Sequence, residues 1–275
     1  MRPIARAITV PLAMVLLAAP AGAAGPPAGA LKRCPADSVV SGARCMDKYE
    51  ASVWRVPNPT TANRGLVARI QQGTATAADL ANGRATQLGV GGTNDYAPCA
   101  VNGLNCVNDN YAVSLPGATP SATITWFQAL QACTNAGKRL PSNAEWQEAV
   151  AGTPDPGPDN GVTDCNTNSV FAAVTTGSRS GCVSAPGAFD MVGNLHEWVA
   201  DWVPRSTGCT QWLSLSGSIR SLDDQCFAGA GTTGEPGALL RGGNFFNGST
   251  DGPLTVFGTI GPSSAGADVG FRCAR

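Results

Sequence analysis

Ten cysteines and a single histidine in 275 residues constrain this chain more than anything else it carries. A zinc site would need close-spaced thiolates and imidazoles, and no C-x-x-C pair occurs anywhere. An even cysteine count behind an export segment reads instead as a disulfide framework. Cys34 and Cys45 bracket a short loop, Cys99 and Cys106 pinch another, and Cys165–Cys182 and Cys209–Cys226 close two more by proximity alone. With 34 glycines, 20 prolines and 6% aromatic residues, the chain cannot lean on long regular elements. Bridges over short loops, each contributing roughly 2–4 kcal/mol by limiting the unfolded state, suit such a composition.

The first residues support export. Arg2 and Arg6 form a positive start, Ala7 to Ala19 a short apolar run, and Ala21-Gly22-Ala23 a small-residue cleavage site, so residues 1–23 read as a signal peptide. The run is too short to stay in a bilayer, and Pro11 interrupts it. No cysteine follows the cleavage site to carry a lipid. Residues 24–33 read as a flexible leader and 34–275 as the domain, located in the periplasm or outside the cell. Nothing later reaches the length of a membrane-spanning helix. Without Arg2 and Arg6 the balance is 16 basic against 19 acidic residues, which gives nucleic acid or anionic lipid no footprint.

Two helices are legible in the middle of the chain. Thr125 with Gln128, then Ser142 with Glu145, are capping boxes. The first helix presents Trp126, Leu130 and Cys133 with Ala129 beside them, and Gly137 stops it. The second carries Trp146, Ala149 and Val150 and ends by Gly152 and Pro154. Residues 46–52 alternate as a strand, Ala75 to Leu88 reads as a helix in an irregular stretch, and Gly193 to Trp202 as a short ordered segment.

These landmarks carry a resemblance. Lys138-Arg139-Leu140-Pro141-Ser142-Asn143-Ala144-Glu145-Trp146 resembles the G-K-R-L-P-T-E-A-E-W of the formylglycine-generating (sulfatase-modifying factor) family. Asp190-Met191-Val192-Gly193-Asn194-Leu195-His196-Glu197-Trp198 is similar to its N-I-V-G-N-x-W-E-W. Leu240-Arg241-Gly242-Gly243-Asn244-Phe245 matches V-R-G-G-S-F, Gly270-Phe271-Arg272-Cys273 matches the closing G-F-R-C, and Met46 to Glu50 fits the first strand. The resemblance implies an α+β fold, loop-rich and disulfide-stapled, of the formylglycine-generating-enzyme type that varies the C-type lectin fold. It also implies a Cys133–Cys273 bridge.

Active members of that family hold copper(I) on a C-x4-C pair after R-G-G-S-F, a task for soft thiolates. The two positions here are Asn247 and Gly252, and Asn244 stands for the family's Ser, so copper is not expected. Cys209 and Cys226 are the nearest substitutes and read as a staple. The family's histidine-rich iron relatives are excluded by the lone His196, which replaces the middle Trp of W-E-W and reads as structural.

Calcium is the cofactor the resemblance implies, through Asp190, Gly193, Leu195 and Glu197, an all-oxygen set of the kind calcium takes. The alternative is a turn in which Asp190 caps backbone amides and Glu197 makes a buried hydrogen bond. A second family site maps onto Asn166, Thr167, Ser180 and Cys182, with Ser180 where a carboxylate is expected.

The function expected is a non-catalytic extracytoplasmic binding module for a glycan, peptide or surface ligand. Asn244, Phe245, Phe246 and Asn247 would line its groove, and Trp202 and Trp212 offer stacking faces. The alternative is an oxidoreductase that converts a substrate cysteine to formylglycine through an unrecognised thiol pair. A third is a structural block.

Overall fold

The computed structural model describes residues 33–107, 109–155, 159–206, 210–211, 224–226 and 232–275. The expected signal peptide, nearly all of the leader, Cys209 and Trp212 lie outside them, and of Cys226 only the backbone is described, so a Cys209–Cys226 bridge is outside too.

The chain opens with a hairpin, β1 (Ser38–Ser41) and β2 (Arg44–Asp47), followed by β3 (Ala51–Arg55). Helices α1 (Arg64–Gln71) and α2 (Ala77–Asn82) lead to the short strand β4 (Thr86–Leu88) and to β5 (Asn110–Ser114). The strands β4-β3-β5 form one antiparallel sheet. The capped helices α3 (Trp126–Asn135) and α4 (Asn143–Ala149) come next. Then follow β6 (His196–Ser206), β7 (Thr210–Gln211), β8 (Asp224–Cys226), β9 (Thr232–Arg241), β10 (Val256–Phe257) and β11 (Val269–Phe271), a six-stranded sheet ordered β11-β6-β9-β10-β8-β7.

Both capping boxes form as expected. Gln128 N donates to Thr125 Oγ1 at 3.3 Å while Thr125 N donates to Gln128 Oε1 at 3.1 Å. Glu145 N donates to Ser142 Oγ at 3.2 Å and Ser142 N to Glu145 Oε2 at 2.9 Å. Each box satisfies two amides that a helix start otherwise leaves bare. Gly137 ends the α3 region at φ 68°, a conformation costly for any other residue.

Two expectations need correction, and one helix is new. The stretch 75–88 is not one helix: α2 stops at Gly83, Arg84 takes φ 54°, and Thr86–Leu88 pairs with β3 instead. The left-handed turn at Arg84 breaks the helical path, and β3 takes up the backbone groups of Thr86–Leu88 in its place. Residues 46–52 are not one strand: the chain bends at Lys48–Glu50 because Glu50 turns its carboxylate inward to Leu195 N, 3.0 Å away. Helix α1 was not anticipated, although Leu66 and Ile70, one turn apart, carry its buried face.

The central sheet is apolar on both sides. Trp198 of β6 and Leu240 of β9 face one core with Phe271, Ile124, Ala129 and Cys133. Their neighbours Val199 and Leu239 face the other, with Trp146, Met46, Val150 and Val256. Alternation along a strand puts adjacent residues on opposite faces, so one strand pair anchors both cores. Residues 51–88 feed the first core through Val53, Leu66, Ile70 and Leu80.

Four bridges are formed, Cys34–Cys45, Cys99–Cys106, Cys133–Cys273 and Cys165–Cys182, and among the described residues no cysteine is free. The third spans 140 residues and the second only 7. Loop-closure entropy then sets the ranking. The double variant Cys133→Ala/Cys273→Ala should lose about 5 kcal/mol in denaturant unfolding and Cys99→Ala/Cys106→Ala about 2 kcal/mol. Equal losses would refute the entropic account.

Candidate functional site: a buried carboxylate cluster beside a groove

Residues 190–195 form a tight turn with Asp190, Gly193 and Asn194 all at positive φ. A Cβ on Gly193 would come within 2.5 Å of the Asn166 carbonyl, so only glycine fits there. The turn delivers Glu197 onto β6, buried, where it meets Arg272 from β11's far end. Arg272 Nε lies 2.8 and 2.7 Å from the two Glu197 oxygens and Nη2 2.5 Å from Oε1. Trp146 Nε1 donates to Oε2 at 2.7 Å. Arg272 also donates to the carbonyls of Asp47 at 3.1 Å and Phe189 at 2.8 Å.

Two more carboxylates share this space. Glu50 accepts Leu195 N at 3.0 Å and Asn194 Nδ2 at 2.5 Å; Asp190 Oδ2 accepts Gly177 N at 2.6 Å. All three acids and Arg272 are buried. Burial first, then the charges of Asp190 and Glu197, drives the Glu50 carboxyl well above its ordinary range. Burial likewise lifts Asp190 to about 6, against the pull of the Gly177 amide and Arg272. Glu50 and Arg272 were legible in the sequence only as motif letters; their meeting across more than two hundred residues was not.

Among the described residues no three acidic, histidine or cysteine side chains are grouped so as to hold a metal ion, so a divalent cation here would rest on few carboxylates and on main-chain oxygens. Asp190 with the Gly193 and Leu195 carbonyls would hold it, and Glu197 would share itself with Arg272. The second set is less complete. Ser180 is exposed, and the Thr167 and Cys182 carbonyls accept Gly248 N at 2.9 Å and Asp190 N at 3.0 Å. The acid that this loop does use is Asp159, absent from the sequence reading. It accepts the amides of Gly161, Thr167 and Ser169 and the Ser169 hydroxyl, and sits 3.7 Å from Arg179. Burial opposes its charge, but the hydroxyl and amides hold it down at about 2. Asn166 Oδ1 and Thr167 Oγ1 are left buried without partners.

On the other side of β6 lies a cavity of about 390 Å³ lined by His196, Asn244, Phe246, Asn247, Asp268 and Phe257 among others. Asn244 is buried and spends both ends locally: its Nδ2 donates to Asp268 Oδ2 at 2.9 Å and its Oδ1 accepts Phe246 N at 2.9 Å. Asn247 is exposed and starts the 3-10 turn Gly248–Thr250. Phe245 packs edge-on against Phe246 at 5.4 Å and is not part of the wall; neither is Gly252. No described cysteine lines the cavity, while the β8 backbone pairs Cys226 with Phe257 of its wall. His196 is buried, stacks on Phe257 at 6.0 Å, and is held down near 4 by burial. Trp202 is 43% exposed and packs edge-on against Trp126 and Phe127. Asp268 was missed because its role depends on β11 lying beside His196.

Residues 92–275 match the family model of the sulfatase-modifying factor enzyme 1-like domain. The chain is 27% identical over 176 residues to a formylglycine-generating enzyme of Thermomonospora curvata, covering 56% of this chain and 55% of that one. It is 36% identical over 89 residues to the serine/threonine-protein kinase Pkn1 of Chlamydia trachomatis, covering 30% of this chain and 14% of the kinase. The chain thus spans about half, or much less, of the curated relatives it matches. Among solved structures it is similar to a Major Tropism Determinant variant (18% identity, TM-score 0.46, 88% of this chain and 54% of that one). PvdO from Pseudomonas aeruginosa is another (18% identity, TM-score 0.41, 84% and 80%).

The Glu197–Arg272 pair makes a direct prediction. Glu197→Gln strands a buried guanidinium and should cost about 3–5 kcal/mol in denaturant melts. A loss below about 1 kcal/mol would mean that water reaches the pair.

Proposed function

The chain belongs to the sulfatase-modifying factor enzyme 1-like family, and from that premise we propose an exported, non-catalytic member whose groove binds an extracytoplasmic glycan, peptide or surface ligand. One observation carries the reading: Asn247, at the first position where the family's copper thiolates would lie, is an exposed amide on the cavity wall, and Gly252 at the second has no side chain. An amide oxygen is a poor copper(I) donor, so the oxygen-activating step has no soft ligand there. Export is supported by the four disulfides, which persist in oxidising compartments. Among the described residues no helix is long and apolar enough to cross a membrane.

Incubating the disulfide-intact protein with copper and a C-x-P-x-R peptide should yield no aldehyde by mass spectrometry. Aldehyde formation would restore the oxidoreductase alternative through Cys209 and Cys226. A glycan and peptide panel should yield at least one saturable ligand, and a blank panel would leave only a structural block.

Calcium is proposed as the brace of the turn, held by Asp190, Gly193, Leu195 and Glu197, and it would supply the positive charge that the acid cluster lacks. The pH dependence follows from Asp190, whose folded carboxyl titrates near 6 against 3.8 for the free side chain. A raised carboxyl stabilises the fold fully below about pH 3.8 and loses that contribution as pH rises through 6. In chelator, wild type should therefore lose about 2–3 kcal/mol relative to Asp190→Asn between pH 4 and 7. Millimolar calcium should abolish that loss and raise the melting temperature more at pH 8 than at pH 5. Melting that ignores calcium at pH 8 would leave protons as the only neutralising agent.

A further inference from the structure

The cavity beside β6 carries an imbalance of hydrogen-bonding groups. His196 is 7% exposed, its ring donates to the Arg241 main-chain carbonyl, and its Nδ1 has no partner. A neutral imidazole that donates through one nitrogen presents the other as a bare acceptor. Asp268 adds a carboxylate to the same wall, fixed by the Asn244 amide at 2.9 Å. Among the described residues no lysine or arginine lines the cavity.

The rest of the wall mixes apolar and aromatic surface with Asn247, Asp251 and the hydroxyls of Thr250, Thr255 and Ser264. Phe246 is 47% exposed and Phe257 lies against the imidazole, while Leu240, Ile260 and Val269 supply aliphatic surface. Aromatic faces attract cations, and aliphatic walls suit the methylene stem of a long basic side chain. Hydroxyls serve a neutral ligand as well as a charged one, so it is the Asp268 carboxylate that favours a cation, while Asn244, the wall's buried amide, has both ends committed.

We propose that this cavity binds an organic cation, the guanidinium or ammonium of a basic peptide side chain, between His196 Nδ1 and the Asp268 carboxylate. The proposal rests on the groove being a binding site and names its ligand class. The cation supplies the donors that Nδ1 and Asp268 lack, and its charge meets the carboxylate.

The chain's one histidine gives a single imidazole signal, so ligand binding is read directly by NMR on the full disulfide-intact protein. The probes are Nα-acetyl-arginine amide, Nα-acetyl-lysine amide, butylamine, a pentapeptide with one central arginine, Nα-acetyl-glutamine amide and N-acetylglucosamine. The cationic probes should shift the His196 signals saturably, more weakly as salt rises. Asp268→Asn, which keeps the main-chain contacts, should weaken them at least tenfold. A pentapeptide binding no tighter than butylamine would assign the site to free amines and overturn the peptide assignment. Equal saturation by glutamine amide or the sugar, or salt-independent binding in wild type, would overturn the cation while leaving the groove reading intact. Silence from every probe here, together with a blank glycan and peptide panel, would remove both.

Discussion

The buried pair between Glu197 and Arg272 is the constraint around which this fold is arranged. Neither charge is tolerable alone in an interior of low polarity, so each must be delivered to the other within hydrogen-bond reach. Three segments distant in sequence are thereby fixed together. The Asp47 carbonyl after the first hairpin receives Arg272 Nη1, Trp146 of α4 donates to Glu197, and the 190–195 turn provides the approach to β6. Such a pair adds little net stability over apolar packing; its effect is on register. If β11 slid by one residue against β6, Arg272 would lose its carboxylate, and the Cys133–Cys273 bridge next to it would lose its geometry.

Beside that pair, a second charged junction ties the N-terminal hairpin to the helical motif. Lys138 Nζ, fully buried, lies 2.5 Å from Asp37 and 2.6 Å from Asp47. Asp47 Oδ2 also accepts Cys273 N at 3.2 Å. Burial pushes the Asp47 carboxyl up to about 6 despite Lys138, so this junction holds its charges at some cost. A loop-rich chain with few aromatics has limited apolar area to specify its topology, and paired charges with exacting partners supply specificity instead.

Legibility followed the range of the interactions. The capping boxes of α3 and α4 were readable because each depends on residues three apart, and the short disulfide loops because bridges between near neighbours cost little chain. The Cys133–Cys273 bridge and the α+β class came with the family resemblance and are formed here. The break at Glu50, the β4 pairing and the Asp159–Arg179 loop were not readable. Each is decided by a partner brought in from elsewhere: Leu195 for Glu50, β3 for β4, and Arg179 with the 167–169 amides for Asp159. In the groove, Asn244, Phe246 and Asn247 were readable as motif neighbours, while Asp268 was not, since only the parallel pairing of β11 with β6 brings it to His196.

The two sides of β6 have separate chemical fates, and this separation is what allows a groove to change while the fold persists. Glu197 points to Arg272 and its neighbour His196 to the cavity, as alternation along a strand requires. Residues on the Arg272 side are bound by charge neutrality: removing one strands another. Residues on the cavity side answer only to solvent, local turns and whatever enters. Asn247 and His196 line the cavity, so a change at either leaves the Glu197–Arg272 register untouched. What such a change alters is the character of the cavity wall, which here combines an imidazole, an amide, a carboxylate and aromatic rings.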